Sequence, residues 1–539
     1  RISETLPRQR FPLGRHRFSS RLPPHQTRRG RGAILAGMPA ASALDRLRGT
    51  GLGITAGLIG WFILVEFVSG IIQGYYVPLF SDIVIDLGIH DSDVNWFEAA
   101  QLLLSAIVVP ILAKLGDMYG HKRILLISSI LTAAASWWLV FAGDFWTFLI
   151  AWALQGFYVV WLPLEVALIF ERGRRQNRGV SSTRRAAGLL VVGLQAGAIA
   201  GALAAGAIFE ATGGDLTVTM MIPAIAVTLI AGVIWLGVPE SEPTPGRRLD
   251  TWGFVLLTWG LLLVTGALVY MRMIPQLDLG ENAWWWVVAL FAAGIAVFVW
   301  FVKFELRQDD PAIDIRVLRR PEMWPVQTTA FLVGISLLGA QGPLSTYAGT
   351  DSSLGYGLGL SASQRSYVIG VYLLSLIIGA IIFAVLSRRA NPRLILIGAS
   401  LLVGIGYTLF LPFHVELWQV LLNLMVAGLG SGALVGALPA AAAAAAPRGQ
   451  TGIASALTNT TKTVGGAFAS AVFGVLLAAG AGAVASETAA SLGGYLAVWA
   501  ICAGGGFLAA LLLLFVPKVA FADTDTSQLD ATRGSSQLT

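Results

Sequence analysis

The sequence predicts an all-α polytopic membrane protein with fourteen transmembrane helices. Three observations predict it. The 539-residue chain is 56% apolar and only 12% charged, about half the charge of an ordinary soluble domain, and its mean hydropathy is +0.73. Its apolar residues fall in continuous runs of about 20, the length that crosses a bilayer as a helix. A barrel would alternate apolar and polar residues over about ten. Finally, the basic residues gather in alternate loops. Together these exclude a soluble globule, a disordered chain and a fibre.

Residues 1–53 precede the first run. They hold eleven Arg against two acids, Glu4 and Asp45. No apolar stretch there reaches spanning length, so a cleavable secretory signal is not expected, and an organelle transit peptide is the other reading of such a composition. Met38 is an alternative start. Residues 1–37 are then expected to be an over-extended reading frame or a disordered tail.

The expected helices are 54–80, 94–113, 123–142, 145–170, 186–208, 217–238, 252–271, 284–303, 325–346, 364–387, 393–412, 416–441, 453–479 and 491–516. The loops set their direction. Those after helices 2, 4, 6, 8, 10 and 12 hold twenty Lys and Arg, among them Lys114, Arg172, Arg247, Arg316, Arg389 and Arg448. The other loops hold two, Arg272 and Arg365. Positive residues stay inside, so both termini are expected in the cytoplasm of a multi-pass plasma-membrane protein. A missed helix would invert the alternation beyond it, and no inversion occurs. Trp137, Trp138, Trp146 and Trp284 to Trp286 sit at expected outer helix ends, as interface anchors do.

Net charge of +6 is thus a topology signal, and no nucleic-acid partner is expected. The single Cys502 has no partner for an internal disulfide and reads as a small core hydrophobe. None of the five Lys follows a Gly, so no phosphate-cradling loop exists. No His precedes Glu and no G-x-S-x-G is present, so neither a zinc-protease helix nor a nucleophile elbow is expected. The chain is not expected to be an enzyme or to bind a metal or cofactor. Any transport would draw on an ion gradient.

One short loop, AKLGDMYGHKRIL at 113–125, carries Asp117, a turn at Gly120, and the basic pair Lys122 and Arg123. By composition it is a charged turn. By position and spacing it resembles the G-x-L-x-D-x-x-G-R-[KR] signature of the major facilitator superfamily. The resemblance implies that these four residues latch the two halves on the cytoplasmic side. Ala113 and His121 depart from the pattern. Gly193, Gly197 and Gly201 recur every fourth residue, a spacing that lets helices pack closely in lipid. They also resemble the antiporter signature, with Ala198 in place of its Pro. WALQGFYVVWLP shares Gln155 and Gly156 with an R-x-x-Q-G motif but has Trp152 in place of the Arg. Asn459, Lys462, Gly465 and Gly466 match N-x-x-R-x-x-G-G of the fourteen-helix drug:proton antiporter branch, with Lys for Arg. The acid usual on that branch's first helix has no clear counterpart; Ile72 falls there.

The resemblance covers about 54–516. It implies a six-helix bundle at 54–238, two inserted helices with linkers at 239–324, a second bundle at 325–516, and a tail at 517–539. The substrate site would lie between the halves near the midplane.

Ionisable residues inside a membrane are costly and read as functional. Glu66 lies about 18 Å along the first helix at 1.5 Å per residue, near the bilayer centre, and is the first candidate for carrying a proton. Glu165 is a second candidate, or a partner for the Arg cluster at 172–175. Glu98 is a third, or a wet structural residue. Lys462 faces the cavity or snorkels to the cytosol. Trp61, Gln73, Tyr76, Gln155, Trp161 and Gln341 are expected to line an aromatic, amide-bearing cavity for amphipathic, flat or cationic small molecules. The leading reading is a monomeric, proton-coupled exporter of drug-like or secondary-metabolite compounds. The alternatives are a facilitator or importer of another solute, and a non-transporting sensor or scaffold that works through the basic tail.

Overall fold

A computed structural model describes residues 51–515, apart from 176–179, 242–248, 277–279, 281, 309–310, 312, 388, 446–450 and 480–487. The expected tails, with Met38, lie outside the described residues except for 51–53, and Arg448 lies outside them too. Every regular element among the described residues is helical. Thirteen helices are long and apolar enough to cross a membrane.

The first expected helix is divided. α1 runs Gly51–Tyr75, a 3-10 turn covers Val77–Leu79, and α2 runs Phe80–Leu87. Pro78 has no N–H to continue an α-helical ladder, which places the break. α3 (Val94–Tyr119) and α4 (His121–Val140) meet at Gly120, whose φ of +107° suits glycine. The fourth expected helix is divided as well. Asp144 caps α5 (Phe145–Gln155), accepting from the Trp146 and Thr147 N–H groups. The 3-10 stretch Gly156–Val160 then leads into α6 (Trp161–Arg175). α7 (Val180–Ala211) and α8 (Leu216–Gly237) follow, the second capped by Asp215.

α9 (Thr251–Gln276) and α10 (Ala283–Glu305) pack on each other, and α11 (Ile315–Leu318) is one turn in the linker beyond them. The ninth expected helix changes type midway. α12 (Trp324–Gly334) passes through a π-turn, Ile335–Gly339, into α13 (Gln341–Gly349). Neither α piece alone is long enough to span. α14 (Ala362–Leu386), α15 (Pro392–Leu409), α16 (Leu417–Ala445), α17 (Thr451–Ala478) and α18 (Leu492–Leu513) complete the chain.

Two large apolar cores result. One draws mainly on residues between Leu58 and Val238, the other mainly on residues between Leu256 and Leu513. Each borrows from the other: Leu102, Leu103 and Ala106 of α3 join the second, while Ala362 and Ile369 of α14 join the first. Accordingly α3 packs on α17, and α7 on α14. Small residues allow the tightest crossings. A Cβ on Gly197 would sit 1.9 Å from the Phe67 carbonyl oxygen, and Gly193 and Gly201 face Ile63 and Ile71 in the same way. The arrangement repeats between α12 and α17, where Gly465 faces the Phe331 carbonyl at 2.1 Å and Gly334 faces that of Lys462 at 2.0 Å. Trp138, Trp146 and Trp284 to Trp286 are exposed, as expected of membrane anchors.

Candidate functional site: a central cavity and a buried carboxyl pair

A cavity of about 30 Å³ lies where the two cores meet, room for a water or two. The helix breaks build much of its wall. Tyr76 and Val77 come from the break after α1, Tyr158 from the 3-10 stretch before α6, and Leu338 and Gln341 from the π-turn and its exit. A break frees side chains from the helical repeat, and π-turns often mark functional sites. Gln73, Glu98, Gln101 and Trp152 also line it.

Of the expected cavity residues, Gln73, Tyr76 and Gln341 are there. Gln155 sits one hydrogen bond behind, its amide donating to the Tyr76 hydroxyl at 3.1 Å and to Ser136 at 3.0 Å. Gly156 is small because a Cβ would strike the Gln101 carbonyl at 2.7 Å. Trp161 is fully buried beside Tyr158 but does not reach the cavity. Trp61 is a correction: it is 43% exposed and packs against Gly237 at the end of α8. In α1 nearly every side chain is apolar, so periodicity does not separate its lipid face from its core face. Trp152 fills the place of the family's Arg with an indole packed among Tyr76, Phe80, Phe97 and Phe148.

The structure brings together two carboxyls that the sequence separates by 99 positions. Glu66 of α1 and Glu165 of α6 are both fully buried and lie within electrostatic range of each other. None of their four carboxyl oxygens has a hydrogen-bond partner among the described residues. Of the Arg cluster, Arg172 donates to the Glu240 carbonyl, and the side chains of Arg174 and Arg175 lie outside the described residues. Two bare carboxylates in a dry site would repel and lose several kcal/mol each in hydration. A proton on one removes that repulsion and half of the hydration loss. Glu98 is separate from the pair, at the cavity, and Tyr158 lies within electrostatic range of both Glu98 and Glu66.

The Asp117 loop makes local ties. The His121 ring bridges Asp117 at 3.2 Å and the Ser241 hydroxyl at 2.9 Å. Lys122 donates to the Trp235 carbonyl, its N–H donates to Glu240, and Arg123 pairs with Glu240 at 3.5 Å. All these partners lie in α3, α4 or the end of α8 and the residues just past it. These ties hold α3, α4 and the end of α8 together within the N-terminal half. On α17, Gly465 and Gly466 are buried at the crossing with α12, Lys462 is half-buried with no ion pair among the described residues, and Asn459 is exposed.

The opposite end, here the far end, holds ties between the two halves that the sequence did not reveal. Arg365 of α14 forms an ion pair with Asp82 of α2, and the side chains are only 5% and 18% exposed. Asp91 accepts from the Ala490 N–H and the Tyr495 hydroxyl, each at 3.2 Å. The Gly206 N–H donates to Ser366 at 3.0 Å, and the Ser363 N–H to Glu210 at 3.1 Å. One signal was available: Arg365 is one of two positives in the wrong loops.

The family model described as Major Facilitator Superfamily matches residues 62–470 and 346–533. The chain is similar to the "Probable actinorhodin transporter" of Streptomyces coelicolor, 26% identical over 77% of this chain and 70% of that one. It is 24% identical to the "Tetracenomycin C resistance and export protein" of Streptomyces glaucescens, over 74% of this chain and 71% of that one. It is also 24% identical to the "Drug efflux pump JefA" of Mycobacterium tuberculosis, over 74% and 76%. Among solved structures, an auto-inhibited POT family peptide transporter aligns with TM-score 0.58, at 16% identity, over 86% of this chain and 100% of that one. The human organic anion transporter MFSD10 (TETRAN) aligns with TM-score 0.57, at 15% identity, over 85% and 99%. These two show the fold.

Proposed function

The chain belongs to the major facilitator superfamily, and from that premise we propose that it exports drug-like or secondary-metabolite molecules in exchange for protons. It is a multi-pass membrane transporter and not an enzyme. The observation that carries the coupling is the Glu66–Glu165 pair. Buried near each other with no hydrogen-bond donor among the described residues, the pair carries at least one proton. Hydration of the site when the basic end opens would let that proton leave. Glu98 and Tyr158 at the cavity wall, Tyr158 within electrostatic range of Glu66, supply a route by which a proton reaches the pair from the cavity.

Alternating access supplies the cycle. In this structure the cavity is at most about a tenth of the 300–1,000 Å³ or so of pockets that hold drug-sized ligands. It must open toward one end to load. The carboxyl of Glu98 and the rings of Tyr76, Trp152 and Tyr158 favour a flat, amphipathic or cationic aromatic cargo. The names of the relatives support that range. In the fuller reading, α12 to α13 is the fourteenth span, two six-helix bundles flank the inserted pair α9 and α10, and the basic end with both termini faces the cytoplasm of a monomer in the plasma membrane. No cofactor takes part; the proton gradient is the driving force.

Trp152 favours a second reading. An indole in place of the Arg removes a charge from the cavity wall, which fits a facilitator that needs no proton. Transport in proteoliposomes under an imposed pH gradient decides between them, with lipophilic cations and aromatic antibiotics as cargo. Uphill movement that stops when the gradient is collapsed supports exchange. Equilibration that ignores the gradient supports the facilitator.

A further inference from the structure

We propose that Arg365 is a positioning residue that ties the state of the cavity to the closing of the far end. The argument starts at the break after α1. Val77 lines the cavity, and its carbonyl accepts the Ser345 hydroxyl of α13, from the other half of the chain. The next carbonyl, Pro78, accepts from Arg365 Nε at 2.8 Å. The same guanidinium pairs with Asp82, four residues on, and donates to the Leu360 carbonyl at 3.0 Å. A planar cation with five donors spread over three nitrogens can hold these three acceptors at once, whereas Lys would have to reach all three from a single nitrogen.

The surroundings are shaped for it. A Cβ on Gly349 would come within 2.8 Å of the guanidinium and 2.2 Å of the Ser81 hydroxyl. That hydroxyl in turn donates to the Ser345 carbonyl at 3.4 Å. The cavity wall and the far-end clasp are therefore consecutive residues of one segment, 76–82. A cargo that pushes Val77 outward pulls two carbonyls off donors in the opposite half. An Arg365 that lets go of Asp82 leaves Val77 free to move. Filling the cavity and unlocking the far end are one event. The same geometry accounts for a basic residue in a loop where the charge pattern has almost none.

This inference rests on alternating access at the cavity but on neither the cargo nor the proton. Its test is a distance. Ile85 and Tyr367 are 73% and 66% exposed, lie close to Asp82 and Arg365 in sequence, and belong to opposite halves; the native Cys502 is buried. Spin labels at Ile85→Cys and Tyr367→Cys in the full chain, in lipid nanodiscs, should give one short distance. Arg365→Gln should raise a longer component about tenfold, and the exchange Asp82→Arg with Arg365→Asp should suppress it. Val77→Trp, which fills the cavity, should raise the same longer component with Arg365 in place. If Arg365→Gln does not fold, Ser345→Ala reads out the same link with a smaller opening. A short distance unchanged by Arg365→Gln, by Val77→Trp, or by Ser345→Ala where that stands in, overturns the proposal. So does an opening in Arg365→Gln that the exchanged pair fails to close. No pH gradient or cargo is present, so the outcome is independent of the Glu66–Glu165 reading.

Discussion

The two ends of the molecule are held by different chemistry. At the far end the ion pair of Asp82 with Arg365 is nearly buried and joins the two halves. Asp91 accepts two hydrogen bonds from the opposite half beside it. At the basic end the charges are more numerous, yet the pair of Arg123 with Glu240 is 69% and 37% exposed and lies within one half. Burial decides what each is worth. Exposed pairs contribute about 0.2–1 kcal/mol, whereas removing one partner of a buried pair costs about 3–5 kcal/mol. The described ties between the halves at the far end are the buried ones.

Perturbing each end in turn breaks or sharpens this contrast. Arg365→Ala should have the largest effect, about 3 kcal/mol of stability in detergent by thermal unfolding, because Asp82 is left charged and unpaired. Tyr495→Phe removes one buried hydrogen bond to Asp91 and should cost about 1–2 kcal/mol by the same measurement. Glu240→Gln should cost under about 1 kcal/mol and lose most of that in high salt. The smallest effect is Asp144→Ala at the far end. Its carboxyl caps α5 in full exposure and is held below the usual carboxylate range by the Thr147 hydroxyl and the backbone N–H groups. A depressed folded value means its contribution is present above the unfolded value and is lost as pH falls through the folded one. Wild type and Asp144→Ala should therefore differ equally at pH 7 and pH 5, and converge only in stronger acid.

Much of the fold was legible because length and charge speak directly. Runs of about 20 apolar residues locate spans, and the alternating basic loops locate their ends. Pro78 marked the break after α1, although the expected helix ran through it. The π-turn at Ile335–Gly339 left no mark, since no residue type signals an inserted residue in an apolar run. Glu66 and Glu165 were each legible as costly intramembrane acids. Their meeting was not, because it depends on how α1 and α6 cross. Trp61 was misplaced for a related reason: lipid and core are both apolar, so the outward face of a spanning helix looks like its inward face. Arg365 showed only as an exception to a rule, and Asp82 gave no signal until the structure put the two together.

The central claim is that Glu66 and Glu165 work as one proton-carrying unit. Proton-driven uphill transport should be measured for Glu66→Gln, Glu165→Gln and the double variant, in matched proteoliposomes. One unit predicts that each single change abolishes proton-driven accumulation while downhill equilibration persists, and that the double variant is no worse than either single. Singles that keep most of the coupling, or losses that multiply in the double variant, would contradict a shared proton.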